Sequence, residues 1–433
     1  MVTPAFIRKQ MLLEQAPPKT SVGIIGWIRQ NLFSNWVNSF LTFAALAFVG
    51  WILSGVLPWM FLSVWNASSL SECRDIAIAK WGESHGHACW AVINDRWVQL
   101  LFGFYPAEQY WRPILALVLL LIAIAPILFS SVPKKTLILS MLYPFLLPWL
   151  MWGGDIWNSV TVLLGFLAAY IASKYFADRL GPMLANISAL ILALLWWNFA
   201  ATPFSEFFAN MAPVYLEPVV SRDFGGFLLA LLIGVVAIGC SLPIGILLAL
   251  GRQSDLFIVK ILSVGFIEFI RGVPLITLLF VASTLLNIFL PPGTSFDIIL
   301  RVIIMVTLFA SAYMAEVIRG GLAAIPKGQY EGADSLGLNY WQAQRLIIMP
   351  QALKVSIPGI VSTFIGLFKD TTLVSIIGLM DPLGLSQGIR ANAEWNGIYT
   401  ELFAFIALLF FIVCFSMSRY SMFLERKLQT DNR

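Results

Sequence analysis

Long apolar runs separated by short polar stretches dominate this chain. Ten runs reach or approach the ~20 residues a helix needs to cross the hydrocarbon core. They lie at roughly 39–62, 114–132, 137–152, 159–174, 184–200, 225–250, 257–283, 298–318, 355–379 and 399–418. The runs are continuous and do not alternate in polarity, so the spans are expected to be helices and not barrel strands. The first run starts too far into the chain, and is too long, for the apolar part of a signal peptide, and is expected to stay as an anchor. Two polar stretches interrupt the pattern. One is the long segment 63–113. The other, residues 330–350, reads YEGADSLGLNYWQAQRLIIMP: charged, punctuated by glycine, and only then apolar.

Composition strengthens the membrane reading. The chain is 59% hydrophobic and 12% charged, with a mean hydropathy of +0.84, where soluble proteins carry about 25% charge. The net charge of +4 is modest and points to basic loops at one membrane face, not to a nucleic-acid partner. Lys and Arg are retained preferentially on the cytoplasmic side. Lys134, Lys135, Lys174, Arg252, Arg319, Lys327, Arg345 and Lys354 fall on one side if the N-terminus is inside. Both termini and the segment 319–354 are therefore expected in the cytoplasm, with 63–113 outside. The expected fold class is an all-α polytopic membrane protein. Polar patterning divides it into a tail, 1–38, an extension of about five helices, 39–215, and a second set of five from 222 to 430.

Charges inside the spans are costly and call for partners. EFIRG (268–272) and EVIRG (316–320) each place an acid and a base three residues apart on one helix face. Glu268 can thus reach Arg271, and Glu316 can reach Arg319. Either these pairs stabilise helix ends, or some of the charges line a passage or gate. FKDTTLVS, 368–375, brings Lys369, Asp370 and Thr372 under the same two readings. Cys73 and Cys89 share the outer loop, where a disulfide is expected in an oxidising compartment. His85 and His87 beside Cys89 are too thin a set to predict a metal, and none is expected. Cys240 and Cys414 lie in apolar runs and read as packing residues.

The stretch around 330–350 predicts a helix–turn–helix. A first helix runs from about Lys327 to Leu336 and is ended by Gly337. Asn339 caps a second short helix, YWQAQRLIIM, which Pro350 is expected to perturb. This run resembles the EAA loop of ABC-importer membrane subunits, whose pattern is E-A-A, three residues, G, nine residues, I, one residue, L-P. Glu331, Gly332 and Ala333 occupy the triplet; Gly337 follows, then Ile347 and Pro350. Gly332 departs from Ala and Met349 from Leu. EFIRGVPL at 268–275, AEVIRGGLAAIPKGQYEGA at 315–333 and KDTTL at 369–373 resemble the polar amino-acid (histidine/glutamine permease) branch in order and spacing. With its long extension, the chain most resembles the larger membrane subunit of the general L-amino-acid importers.

The resemblance implies a MetI-like, type I transmembrane domain in the second half and a multi-pass place in a bacterial inner membrane. It implies a second related permease, two ATPase subunits that bind ATP and Mg, and a periplasmic amino-acid-binding protein. Glu331, Ala333, Gly337, Arg345, Ile347 and Pro350 would couple the ATPase, with Arg345 equally suited to a lipid headgroup. The chain itself has no G-x-x-x-x-G-K-[ST] and no H-E-x-x-H, so it reads as a transport subunit and not an enzyme. The alternatives are an ABC permease for another small polar solute, or an ion-coupled secondary transporter. The latter builds from matching halves, which this sequence does not show.

Overall fold

The structure is a computed structural model, describing residues 23–82, 86–129, 131–289 and 296–430. It divides into two compact units, one ending at Asn94 and one from Asp95 to Arg433. Polar patterning placed its division elsewhere, near residue 220.

The first unit holds α1 (Gly23–Asn31), α2 (Trp36–Phe61) and α3 (Leu70–Trp81), and α4 (Ala91–Phe102) begins in it. Asn35 caps α2, accepting from the Asn38 N–H at 2.8 Å. No residue of α2 is buried within the chain. It is apolar all round, as suits a helix surrounded by lipid or by another subunit. After it, Cys73 and Cys89 are joined by a disulfide. Val64 bridges to Cys89, and Trp59, Trp65 and Trp90 pack ring against ring. His87 Nδ1 lies 3.0 Å from the Leu62 carbonyl, and His85 lies outside the described residues. Among the described residues no group of three His, Cys, Asp or Glu is placed to hold a metal.

The second unit begins with α5 (Trp111–Leu128), α6 (Leu137–Trp152) and α7 (Ile156–Leu195), the last broken at Gly181 with φ of 79°. A π-turn at Trp196–Ala200 leads into α8 (Ala201–Met211). Gly154–Asp155 (β1) pairs antiparallel with Tyr215–Leu216 (β2). Then follow α9 (Gly226–Gln253), α10 (Phe257–Gly272), α11 (Leu275–Phe289), α12 (Ile298–Ala323), α13 (Lys327–Ser335), α14 (Tyr340–Ala343), α15 (Met349–Asp370), α16 (Pro382–Ala391) and α17 (Thr400–Thr430). Among the described residues nine helical segments are long and apolar enough to cross a membrane, or ten if α10 and α11 form one span bent by 100°. The sequence read that pair as a single run. Gly272 and Pro274 lie at the break between the helices, where Pro274 cannot supply a helical N–H.

α5 and α6 do not stand apart from the second half of the chain. Ala116, Ala123, Tyr143, Leu147, Leu150 and Met151 share a core with Leu229, Leu232 and Ile233 of α9 and with Ile299, Val302 and Val306 of α12. The Tyr143 hydroxyl donates to the Ala116 carbonyl at 3.0 Å. α12 is the central helix. A side chain at Gly245 on α9 would crowd Met314, one at Gly321 would collide with Ser356 on α15, and one at Gly359 would press on Val317. Such small-residue contacts let membrane helices approach closely.

α16 is fixed by Asp381, whose carboxylate accepts from the N–H groups of Leu383 (3.2 Å) and Gly384 (2.9 Å) ahead of Pro382. Burial pushes its pKa up from 3.8 to about 6, against the pull of those N–H groups. The folded state therefore keeps the proton where the unfolded chain has released it, and stability falls as pH rises from about 4 through about 6. Asp381→Asn keeps an acceptor and cannot ionise. Its thermal stability relative to wild type is expected to improve as pH rises across that window; an offset independent of pH in detergent melting curves would show that Asp381 does not titrate there. On non-reducing peptide mapping, the fragments holding Cys73 and Cys89 are expected to run as one species that separates on reduction.

Candidate functional site

The polar stretch after α12 folds as a capped helix pair. Pro326 precedes α13, where a missing N–H costs little. Gly337 closes α13 with φ of 70°: its N–H donates to Asp334 O at 2.9 Å, and the Leu338 N–H donates to Ala333 O at 3.2 Å. These two bonds close a left-handed helix end, a conformation that costs other residues roughly 1–2 kcal/mol. Asn339 then opens α14 with a reciprocal capping box. Its side chain accepts from the Gln342 N–H at 2.9 Å, and Gln342 Oε1 accepts from the Asn339 N–H at 3.0 Å.

The second helix is not short. α14 passes through a π-turn, Gln344–Ile348, directly into α15, so that Tyr340–Ile377 forms one span-length segment of 38 residues. Pro350 cannot donate to the Leu346 carbonyl and its ring would crowd it; the wider turn gives that carbonyl room. The expected perturbation is thus absorbed inside a continuing helix.

One face of the pair is anchored. Ile325, Tyr330, Ile347, Ile348 and Met349 pack with Ile318 and Leu322 of α12 and Ile267 of α10. Gln351 Nε2 donates to Gln329 Oε1 at 3.0 Å, tying α15 to α13. Ala333 is buried within the pair, Ile347 lies at the seam, and Glu331, Gly337, Arg345 and Pro350 are on the surface. Beside them Leu336 is 73%, Trp341 65%, Leu346 63% and Tyr340 52% exposed. This apolar patch went unnoticed in the sequence, although four large apolar residues in a charged stretch were a visible signal for it.

At the root of the pair the span charges form a network centred on Glu316. Arg252 Nη1 lies 2.7 Å from Glu316 Oε1 and 2.9 Å from Glu268 Oε1. Arg319 Nε lies 3.0 Å, and Arg271 Nη1 3.8 Å, from Glu316 Oε2. Arg271 also lies over the Tyr313 ring. The expected Glu316–Arg319 pair is present. Glu268, however, meets Arg252 of α9 and not its neighbour Arg271, and Arg252 had not been singled out.

Lys369, Asp370 and Thr372 are elsewhere. Ser356 touches α12 at the Val317 carbonyl (3.3 Å), and Lys369 lies 13 residues further along α15, about 20 Å at the helical rise. Lys369 is exposed and Asp370 half-buried, and the Thr372 hydroxyl donates to Lys369 O at 2.9 Å. The seven residues grouped as a pathway or gate therefore form two separate clusters.

Residues 241–430 match the family described as binding-protein-dependent transport system inner membrane component. Over 431 residues, 99% of each chain, the sequence is 58% identical to the glutamate/glutamine/aspartate/asparagine transport system permease protein BztC of Rhodobacter capsulatus. The chain belongs to the amino-acid ABC transporter permeases. It is a multi-pass membrane protein and a transport subunit. The permease is also 41% identical over 408 residues, 93% of each chain, to the inner membrane amino-acid ABC transporter permease protein YhdY of Escherichia coli. A solved amino acid ABC transporter with histidines is 30% identical, over 46% of this permease and 90% of that chain, with a TM-score of 0.41.

Glu316 Oε1 and Oε2 together face three arginines, and the side chain is only 17% exposed. Removing its charge strands cations in a partly buried site, at a cost on the order of 3 kcal/mol. Glu316→Gln is expected to lower the melting temperature well below that of Glu268→Gln, whose carboxylate has one partner and is 53% exposed. Equal melting temperatures would remove Glu316 from the centre of the network.

Proposed function

We propose that this permease moves L-amino acids from the periplasm to the cytoplasm across a bacterial inner membrane, driven by ATP bound with Mg and hydrolysed in a separate subunit. In this reading both termini and residues 319–354 are cytoplasmic, residues 222–430 form the transport domain and 39–215 an extension of it. A second, related permease completes the pathway. Two ATPase subunits dock on the coupling loops, one per permease, and a periplasmic binding protein delivers the substrate.

The observation that carries this reading is the capped helix pair: apolar and exposed at Leu336, Tyr340, Trp341 and Leu346, yet fixed at its base to α10 and α12 through Ile267, Ile318, Ile325 and Ile348. A partner that grips the exposed side and moves will carry the spans with it. Glu331 and Arg345 stand on the surface beside the patch and supply charge for that contact. The absence of a phosphate-binding loop from the sequence supports assigning hydrolysis to the partner. The name of the R. capsulatus relative supports acidic amino acids and their amides as the substrate class. An acidic side chain would need a cation, and Lys369 is the exposed one at the end of α15.

In proteoliposomes holding the permease with its companion permease and ATPase, uptake of labelled glutamate, glutamine, aspartate or asparagine is expected only with binding protein outside and ATP inside. Uptake driven by an ion gradient without ATP would favour a secondary transporter. Gly337→Asp is expected to reduce co-purification of the ATPase and abolish uptake; wild-type co-purification would separate the loop from docking.

A further inference from the structure

The segment 378–398, which follows the Lys369–Thr372 cluster, is held at its start by the lead-in and first residue of α9 and at its far end by residues that precede α9. At its start, the Gly226 N–H donates to Met380 O at 2.8 Å, and Gly225 bridges Met380 in parallel. On the other side of that strand-like lead-in, Gly103 bridges Phe224 and the Phe104 N–H donates to Asp223 O at 3.2 Å. The three layers lie so close that a side chain at Gly103, whose φ is 68°, would overlap Gly225, and one at Gly226 would come within 2.5 Å of Leu100 O. At its far end, Trp395 has no exposed surface. Its single N–H donates to Asp95 Oδ2 at 3.0 Å across 300 residues of sequence. Arg96 pairs with Asp95 and with the residue before Trp395: its Nε is 2.8 Å from Asp95 Oδ2 and its Nη2 3.2 Å from Glu394 Oε2.

We propose that Asp95 and Arg96, with Gly103, brace the segment 378–398 and so act as positioning residues for transport, through the 3₁₀ turn Thr371–Ile377 that joins this segment to Lys369 and Asp370. The extension is then a working part of the transport domain. Between its two fixed ends the segment has only α16, capped by Asp381 and packed inward through Leu385, Ser386 and Ile389. A buried indole N–H that loses its acceptor carries a desolvation cost, so losing Asp95 loosens the far end while the glycine-packed end stays put. The permitted motion would then fall on the 3₁₀ turn and the charges before it.

This inference rests on the proposed ATP-driven import, and the two are tested together in the reconstituted transporter with ATPase and binding protein. The readouts are amino acid taken up, ATP hydrolysed, and the ratio of the two. Wild-type failure to import under ATP would overturn the functional reading itself. If wild type imports, Asp95→Ala and Trp395→Phe are each expected to raise the ATP consumed per amino acid at least threefold. The double variant should be no worse than either single one, because both remove the same bond. Asp95→Asn, which keeps an acceptor, should return the ratio to within twofold of wild type. Arg96→Gln, which leaves the indole bond in place but removes the cation beside it, should give a ratio between those of wild type and Asp95→Ala. A wild-type ratio in Asp95→Ala, Trp395→Phe and Arg96→Gln overturns the brace, including where uptake falls only in proportion to the folded protein recovered.

Discussion

The close approach of α12 to its neighbours governs the rest of this permease. A membrane offers no hydrophobic force between apolar helices, so association depends on contact and on hydrogen bonds. Gly245 against Met314, Gly321 against Ser356 and Gly359 against Val317 bring α9, α12 and α15 near enough for both. That approach places Arg252 beside Glu316 and sets Ile325 and Ile348 under one apolar cluster. The charges could not be neutralised, and the polar helix pair could not be fixed, if α12 stood a side chain further away.

The charge network illustrates how a low-dielectric setting selects partners. Three arginines surround Glu316, and Arg252 is shared with Glu268. Glu316 is matched by three cations, and Glu268 by one of the same three. This arrangement leaves little anionic capacity for a substrate ammonium at that end of the spans. The separate Lys369–Asp370 cluster, at the other end of α15, is the more open of the two.

Much of this was legible in the sequence, and the failures are local in cause. Hydropathy located the spans because continuous apolar runs admit few other structures in a bilayer. Glycine and asparagine located the helix pair because φ of 70° at Gly337 and the cap at Asn339 depend on the residues themselves. Hydropathy, blind to direction, hid the 100° bend in the apolar run 257–283, although Gly272 and Pro274 were a readable breaker signal for it. The partners of Arg252 lie 16 and 64 residues away, beyond any helical spacing rule. The brace at Asp95 and Trp395 spans 300 residues and was equally invisible. Asp381 before Pro382 is a readable cap signature for α16 that hydropathy does not register.

The π-turn before α15 has a mechanical consequence. Because Pro350 is absorbed without a break, Trp341 and Thr371 belong to one rod and lie about 45 Å apart at the helical rise. A rod does not dissipate a displacement the way a loop does. A shift of a few ångströms imposed at Trp341 must emerge, as translation or tilt, beside Lys369. The same shift would be felt at Ser356, where the rod leans on α12. The coupling loop is in that sense the handle of a lever whose fulcrum is a glycine contact, and whose working end carries the exposed Lys369 and the half-buried Asp370.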